Sequence, residues 1–270
     1  MTIAALLLLA TLQSAEPSTA VAGAVSVSVV DKSGHNVTDL TAAEVVVKEN
    51  GQPRAVKRVE RDVRPLALVV LLDSSTALGN QFRNELVDPV MDFLEGLPPG
   101  TDRTLITIGT PPEVVNLKDP AQARAALKAK VPFGKIDLYD GLTEACGLLG
   151  AKKGARRVVI VVTSEGFTDD DQAIARAAVA KASPYVLAIQ FGPSGAYQPD
   201  LDGIVKWTGG RYEPIAAASG VGKLLQRFLP DLEAPWLVVY ETPSASGQRA
   251  VDLKITRQGV KTRVRPAGLD

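Results

Sequence analysis

The chain has 270 residues, of which 46% are hydrophobic, a composition typical of one large or two small globular domains. Thirty basic residues balance thirty acidic ones, so net charge does not favour a polyanion or a membrane surface as the partner. No basic patch with interleaved aromatic residues occurs, and we expect no nucleic-acid binding. The single cysteine, Cys146, excludes an intrachain disulfide, and His35 is the single histidine available to a catalytic or metal site.

Residues 1–20 are predicted to be an export signal. The apolar run Ile3–Leu12 is too short to span a bilayer, and small residues up to Ala20 offer cleavage positions. No Lys or Arg precedes the run, which leaves a buried N-terminal helix or a misassigned start as alternatives. We expect an exported protein, periplasmic or secreted, with no membrane insertion after the signal is removed.

Residues 21–63 are predicted to form half of a β-sandwich. AVSVSVVD alternates apolar and small polar residues, as a half-buried strand does. Further on, VVVKE and AVKRVE are two short strands separated by Asn50-Gly51, a strong hairpin signal. These strands need another layer to cover their apolar face.

Residues 64–231 alternate strand-like and helical runs, which predicts an α/β domain with a doubly wound, mostly parallel sheet. Leu66–Leu72 is an unbroken apolar run, as expected for a strand covered on both faces. Asp73 and the small hydroxyl residues after it follow this strand directly. Open α/β sheets bind ligands at the carboxyl ends of their strands, so this turn is the first candidate site.

Residues 232–270 return to β structure, with three strand-like runs separated by Ser- and Gly-rich turns. Neither this segment nor residues 21–63 has a full partner layer of its own. We therefore predict that the two segments form one small antiparallel β-sandwich into which the α/β domain is inserted. Two β flanks that pack separately on the α/β domain are the alternative.

Two long stretches resemble a known class of proteins. VVDKSGHNVTDLTAAEVVVKENGQPRAVKRVE with PLALVVLLDSS is similar to the start, and VVYETPSASGQRAVDLKITRQGVKTRVR to the β tail, of bacterial exported proteins related to the von Willebrand factor type A domain. The resemblance implies a domain that binds proteins rather than catalysing a reaction. It also implies a metal-ion-dependent adhesion site: an Asp-x-Ser-x-Ser loop, a threonine from a second loop, and an aspartate after the fourth strand.

The chain retains only part of the pattern that the resemblance implies. Asp73 and Ser75 match the first two loop positions, but the third is Ala77. The threonine position falls on Ile136 and the last aspartate on Glu165. Two oxygen ligands are thus replaced by aliphatic groups, and the adhesion site is predicted to be degenerate.

Neighbouring oxygen-bearing residues are candidates to substitute for the lost ligands or to brace the loops: Thr76, Asp137 and Asp140. The favoured hypothesis is a non-enzymatic module that binds another protein, with weak or no metal dependence and no cofactor. One alternative is an adhesion domain that binds Mg²⁺ or Mn²⁺ through Asp73, Ser75 and Glu165. Another is a hydrolase that uses Ser75, for which His35 lies in a turn of a different part of the fold.

Overall fold

The computed structural model describes residues 21–164, 172–192, 198–233, 235–243 and 251–266. The predicted export signal, Glu165 and the acidic run Asp169–Asp171 lie outside these ranges. Within them, no helix combines the length and the apolar character needed to cross a membrane.

The described chain forms an N-terminal group of strands, a central α/β region and a C-terminal group of strands. The first group is β1 (Val21–Val30), β2 (Val45–Glu49), β3 (Gln52–Arg54) and β4 (Val56–Arg61). The central strands are β5 (Leu66–Leu72), β6 (Asp102–Thr107), β7 (Glu113–Val115), β8 (Arg156–Ser164), β9 (Tyr185–Phe191) and β10 (Arg211–Ile215). The helices are α1 (Val87–Glu95), α2 (Pro120–Ala129), α3 (Leu138–Gly150), α4 (Gln172–Ala182), α5 (Pro199–Trp207) and α6 (Val221–Glu233). The last strands are β11 (Trp236–Thr242), β12 (Val251–Ile255) and β13 (Lys261–Pro266).

The central sheet has the strand order β10-β9-β8-β5-β6-β7, and only β7 runs antiparallel to its neighbour. Every residue of β5 is buried, because helices cover both faces of the sheet. Alternate β5 side chains pack with α1, α2 and α6 on one face and with α3, α4 and α5 on the other. The predicted doubly wound fold is confirmed.

The order in which the chain adds strands to the central sheet reverses at β5. The chain first adds β6 on one side of β5 and later returns to add β8 on the other side. The carboxyl ends of β5 and β8 therefore form the topological switch point, where sheets of this kind bind ligands. Residues 130–137 connect α2 on one face to α3 on the other and so cross this end of the sheet.

The two terminal groups of strands share one β-sandwich, as predicted. β1 pairs with β11 and β13, and β4 completes the sheet β13-β1-β11-β4. The facing sheet has the order β12-β2-β3. Both sheets contribute to a single apolar cluster, in which Val27, Val47 and Val238 are nearly inaccessible to solvent.

The hairpin prediction was right about the turn and wrong about the second strand. Asn50 and Gly51 both have positive φ, and they connect β2 to the short β3. The chain then changes sheets at Ala55, and β4 pairs with β11 instead. Pro53 lacks a backbone N–H, so β3 suits the edge of a sheet and ends early.

The helix after β5 begins with a widened π-helical turn, Phe82–Leu86, before it continues as α1. Pro89 follows this turn, and because proline has no N–H to donate to the Glu85 carbonyl it favours a departure from regular α-helical hydrogen bonding here. Phe82, Leu86 and Val90 are all buried, so the turn and α1 keep one continuous apolar side against the core.

Candidate functional site

Asp73 is the first residue after β5, and its side chain is inaccessible to solvent (0% exposed). One carboxylate oxygen, Oδ1, accepts a hydrogen bond of 2.8 Å from the Ser75 N–H. The other, Oδ2, accepts bonds from the Ser164 N–H at 2.9 Å and the Ser164 hydroxyl at 2.6 Å. Asp73 therefore joins the ends of β5 and β8 across the switch point, and it shapes the turn that follows β5.

Ser164 is a part of the site that the sequence did not identify. It is the last residue of β8, one position before Glu165, on which the resemblance places the final metal ligand. The polar pair Thr163-Ser164 after a buried apolar run was the available signal. Interpreting it required the knowledge that β8 lies beside β5, which the local sequence does not contain.

Ser75 lies at the same turn, and its hydroxyl is buried without a hydrogen-bond partner in the described chain. Ser74, also buried, accepts a hydrogen bond on its carbonyl from the Phe133 N–H at 3.0 Å. Gly109 permits this tight packing, because a Cβ there would lie 2.9 Å from the Ser74 hydroxyl and 2.8 Å from the Phe133 carbonyl oxygen. The turn is thus covered by residues 130–137.

Ile136 occupies the position where the resemblance expects a threonine ligand. Its side chain is only 6% exposed, and it belongs to the apolar cluster that also contains Ile108 and Leu138. The backbone next to it is fixed, because the Asp137 N–H donates to the Ile108 carbonyl at 3.1 Å. This position is therefore part of the core and offers no oxygen to a bound ion.

The remaining predicted residues surround the turn. Thr76 is exposed, and both its N–H (3.1 Å) and its hydroxyl (3.0 Å) donate to the Gly134 carbonyl, which braces the two loops against each other. Ala77 is exposed beside it. Asp137 is half-buried just before α3, and Asp140 is exposed in the first turn of that helix. Glu165 lies outside the described residues, so its place in the site stays a prediction.

The described residues do not fit a magnesium or manganese site. Such an ion takes about six oxygen ligands in near-octahedral geometry. Across the described ranges, no three His, Cys, Asp or Glu side chains cluster closely enough to hold a metal. Both Asp73 oxygens already accept internal hydrogen bonds, and Ile136 is apolar. The unpaired Ser75 hydroxyl is the feature that would suit an ion.

The geometry of the same turn does not favour Ser75 as a catalytic nucleophile. A catalytic serine needs a base within hydrogen-bonding reach, whereas the Ser75 hydroxyl has no hydrogen-bond partner in the described chain. His35 lies in the turn after β1 in the sandwich, exposed and 3.8 Å from Asp31. Burial raises the pKa of the Cys146 thiol to about 12, so this cysteine stays protonated at neutral pH.

Comparisons with known proteins identify solved structures that have a similar fold. No family model matches the chain. No curated protein matches it either. Among solved structures, a von Willebrand factor type A protein from Catenulispora acidiphila matches with a TM-score of 0.54 and 11% identity, over 93% of this chain and 75% of that one.

Two further structures are similar with lower TM-scores. The manganese-loaded TRAP protein of Plasmodium vivax gives 0.49 at 13% identity, over 82% of this chain and 98% of that one. The SpRpn10 VWA domain gives 0.48 at 17% identity, over 60% of this chain and 94% of that one. Identities this low establish architecture, not activity. The chain therefore has the fold of a von Willebrand factor type A domain, as the sequence predicted.

Proposed function

We propose that this protein is an exported, non-enzymatic module that binds another protein through the carboxyl-end face of its central sheet, without a metal ion. The internal engagement of the Asp73 carboxylate is the observation that carries the proposal. All three of its donors are neutral groups of the protein itself, namely the Ser75 N–H and the Ser164 N–H and hydroxyl.

The loss of metal dependence follows from what ion binding would require. A cation ligated by Asp73 would have to compete with these short hydrogen bonds, and each hydrogen bond to a charged group contributes about 1.5–3 kcal/mol. The remaining protein ligands would have to come from positions that are apolar, such as Ile136, or already bonded within the loops, such as Thr76. The turn is therefore better suited to a structural role.

The face itself is suited to binding. It lies at the switch point of the sheet, and it presents the exposed residues Thr76 and Ala77 together with the loop 130–137. We favour binding over catalysis because Ser75, the candidate nucleophile, has no base in the described chain. Export is supported by the apolar run Ile3–Leu12, and it places the partner in the periplasmic or extracellular space.

A blocking substitution tests the proposal. Ala77→Arg puts a long side chain on the exposed turn, and Ala151→Arg is its matched control after α3, at the opposite end of the sheet. The unmutated chain and both variants are used to capture partners from the periplasmic and secreted fractions in EDTA. We expect a partner that the unmutated chain and Ala151→Arg retain and that Ala77→Arg loses. Retention by Ala77→Arg would contradict the proposal.

A metal-dependent adhesion domain is the second candidate, and the buried, unpaired Ser75 hydroxyl favours it. Its ligands would be Asp73, Ser75 and Glu165, with Thr76 or Asp137 as substitutes. In the same capture experiment, this candidate requires that EDTA abolishes retention and that added Mn²⁺ restores it. Retention in EDTA that Mn²⁺ leaves unchanged would rule it out.

A further inference from the structure

The loop 130–137 exposes two large apolar side chains at the candidate binding face. Val131 is 72% exposed and Phe133 is 73% exposed. Single exposed apolar residues are common and need no explanation. Two of them, two positions apart on a loop that covers the switch point, are instead typical of an interaction surface.

The backbone beneath Phe133 is firmly held. Its N–H donates to Ser74, and the next carbonyl, that of Gly134, accepts two bonds from Thr76. On the other side, the Thr110 hydroxyl donates to the Lys135 carbonyl at 3.0 Å. Because the loop is already ordered, Phe133 can enter a partner's pocket at little further cost in backbone entropy.

Charge around the two apolar side chains defines the partner further. Lys130 forms an ion pair with Glu113 at 2.5 Å. Lys135 is exposed, and no carboxylate in the described part of the chain pairs with it. Lys135 can therefore pair with a carboxylate of a partner, whereas Asp140, which is exposed in the first turn of α3, would repel one.

We propose that Phe133 and Val131 are the anchors of the binding face, and that the partner protein offers an apolar segment with an adjacent carboxylate that pairs with Lys135. This inference rests on the proposed function and names the partner chemistry that it needs. Aromatic anchors of this kind carry a large share of the binding energy at protein interfaces, while a rim charge adds orientation and specificity.

Panning of a random twelve-residue peptide library displayed on phage tests the inference. The bait is the full chain, immobilised in EDTA, beside the Phe133→Ala variant and its matched control Trp207→Ala, which removes another exposed aromatic side chain at the end of α5. We expect the unmutated chain and Trp207→Ala to enrich peptides in which Asp or Glu lies next to aromatic or aliphatic residues. Recovery of these peptides on Phe133→Ala is expected to fall by about tenfold or more.

Reversal of the charge at Lys135 tests separately whether the partner supplies a carboxylate. Lys135→Glu is expected to lose the preference for acidic peptides, whereas Lys153→Glu, an exposed control after α3, is expected to keep it. Val131→Ala should reduce recovery less than Phe133→Ala does. The variants at Val131, Phe133, Lys135 and Lys153 should unfold at the midpoint of the unmutated chain, because these side chains are exposed. Enrichment of basic peptides, recovery unchanged by Phe133→Ala, or no enrichment at all would overturn the inference.

The Ala77→Arg variant separates this inference from the proposed function. If Ala77→Arg abolishes peptide recovery while Phe133→Ala and Lys135→Glu leave it unchanged, the face binds but the anchors are wrong. If none of these substitutions lowers recovery, the inference and the assignment of the face fail together. If all three substitutions lower peptide recovery and the control substitutions do not, the assigned face and the proposed anchors are both supported.

Discussion

Two buried aspartates, Asp73 at the proposed binding face and Asp231 at the junction between the sandwich and the central sheet, have different hydrogen-bond donors. Both are 0% exposed. Asp231, in α6, accepts hydrogen bonds from Arg263 at 2.7 and 2.8 Å and from Arg211 at 3.4 Å. Asp73 accepts only from neutral groups, and within the described chain no Lys or Arg donates to it.

The Asp231 carboxylate joins two parts of the molecule, whereas the Asp73 carboxylate orders a single turn. Arg263 belongs to β13 of the sandwich and Arg211 to β10 of the central sheet, so Asp231 ties the two together. Arg265 strengthens the junction: its buried guanidinium donates to the Asp231 carbonyl at 2.8 Å and lies 4.6 Å from the centre of the Tyr185 ring. Asp73 has a local role, to fix the turn after β5.

The largest expected effect is at the junction. Asp231→Ala leaves guanidinium groups without their buried carboxylate, and breaking a buried ion pair in this way costs about 3–5 kcal/mol. Equilibrium unfolding in urea measures the loss. Asp252→Ala on β12, where the side chain is exposed, is the control and should change stability little. Equal stability of the two variants would contradict the role given to Asp231.

Asp73→Ala is expected to cost about 2–4 kcal/mol, because buried donors of Ser75 and Ser164 lose their acceptor. Asp73→Asn should cost less, since the amide oxygen can still accept a hydrogen bond. The same urea titration measures both variants. A stabilised Asp73→Ala variant would point the other way, to a carboxylate that is strained without a bound cation.

Ser164→Ala removes one donor to Asp73 and keeps the backbone N–H bond. We expect a loss of about 1.5–3 kcal/mol, the contribution of one hydrogen bond to a charged group. Ser33→Ala, in an exposed turn of the sandwich, is the matched control. The thermal unfolding midpoint should fall for Ser164→Ala alone; an unchanged midpoint would mean that the hydroxyl does not stabilise the turn.

The smallest expected effect comes from Glu44, a carboxylate paired with arginine as Asp231 is, but near the surface. Hydrogen bonds from Arg257, with further ones from Thr41, lower the pKa of Glu44 from 4.5 to about 2. The stabilisation is therefore complete above pH 4.5 and is lost as the pH falls toward 2. Water competes for such a pair, so its contribution is modest.

Replacement of Glu44 tests this pH dependence. Glu44→Gln should unfold at a slightly lower midpoint than the unmutated chain at neutral pH, and the two midpoints should converge as the pH falls from 4.5 to 2. The exposed Glu144→Gln on α3 serves as the control. Parallel profiles for Glu44→Gln and the unmutated chain would show that the pair with Arg257 contributes nothing.

Much of the fold was predictable, because its signals are local. The unbroken apolar run of β5 predicted a doubly covered strand, and the residue after it, Asp73, lies where the run predicted. The change of sheets at Ala55 was not predictable, because it depends on β11, more than one hundred residues away, as the partner of β4. Pro89, by contrast, was a local signal for the widened turn before α1.

The site residues within the turn after β5 were predictable from the sequence. The residues that the fold brings to this turn from other elements were not. The pattern placed Asp73 and Ser75 together and marked Ile136 as a lost ligand. Ser164 reaches Asp73 only because β8 and β5 are neighbours in the sheet. The exposure of Phe133 was equally hidden, since an apolar loop residue packs inward or outward according to tertiary contacts.

Metal titration tests the central claim most directly. Mn²⁺ and Mg²⁺ are added to the EDTA-treated full chain, followed by calorimetry and by thermal unfolding, with Asp73→Asn in parallel. If Asp73 serves as an acceptor for internal donors, neither ion gives a heat of binding or shifts the unfolding midpoint. A chelator-reversible rise of several degrees that Asp73→Asn abolishes would contradict a metal-independent binding face.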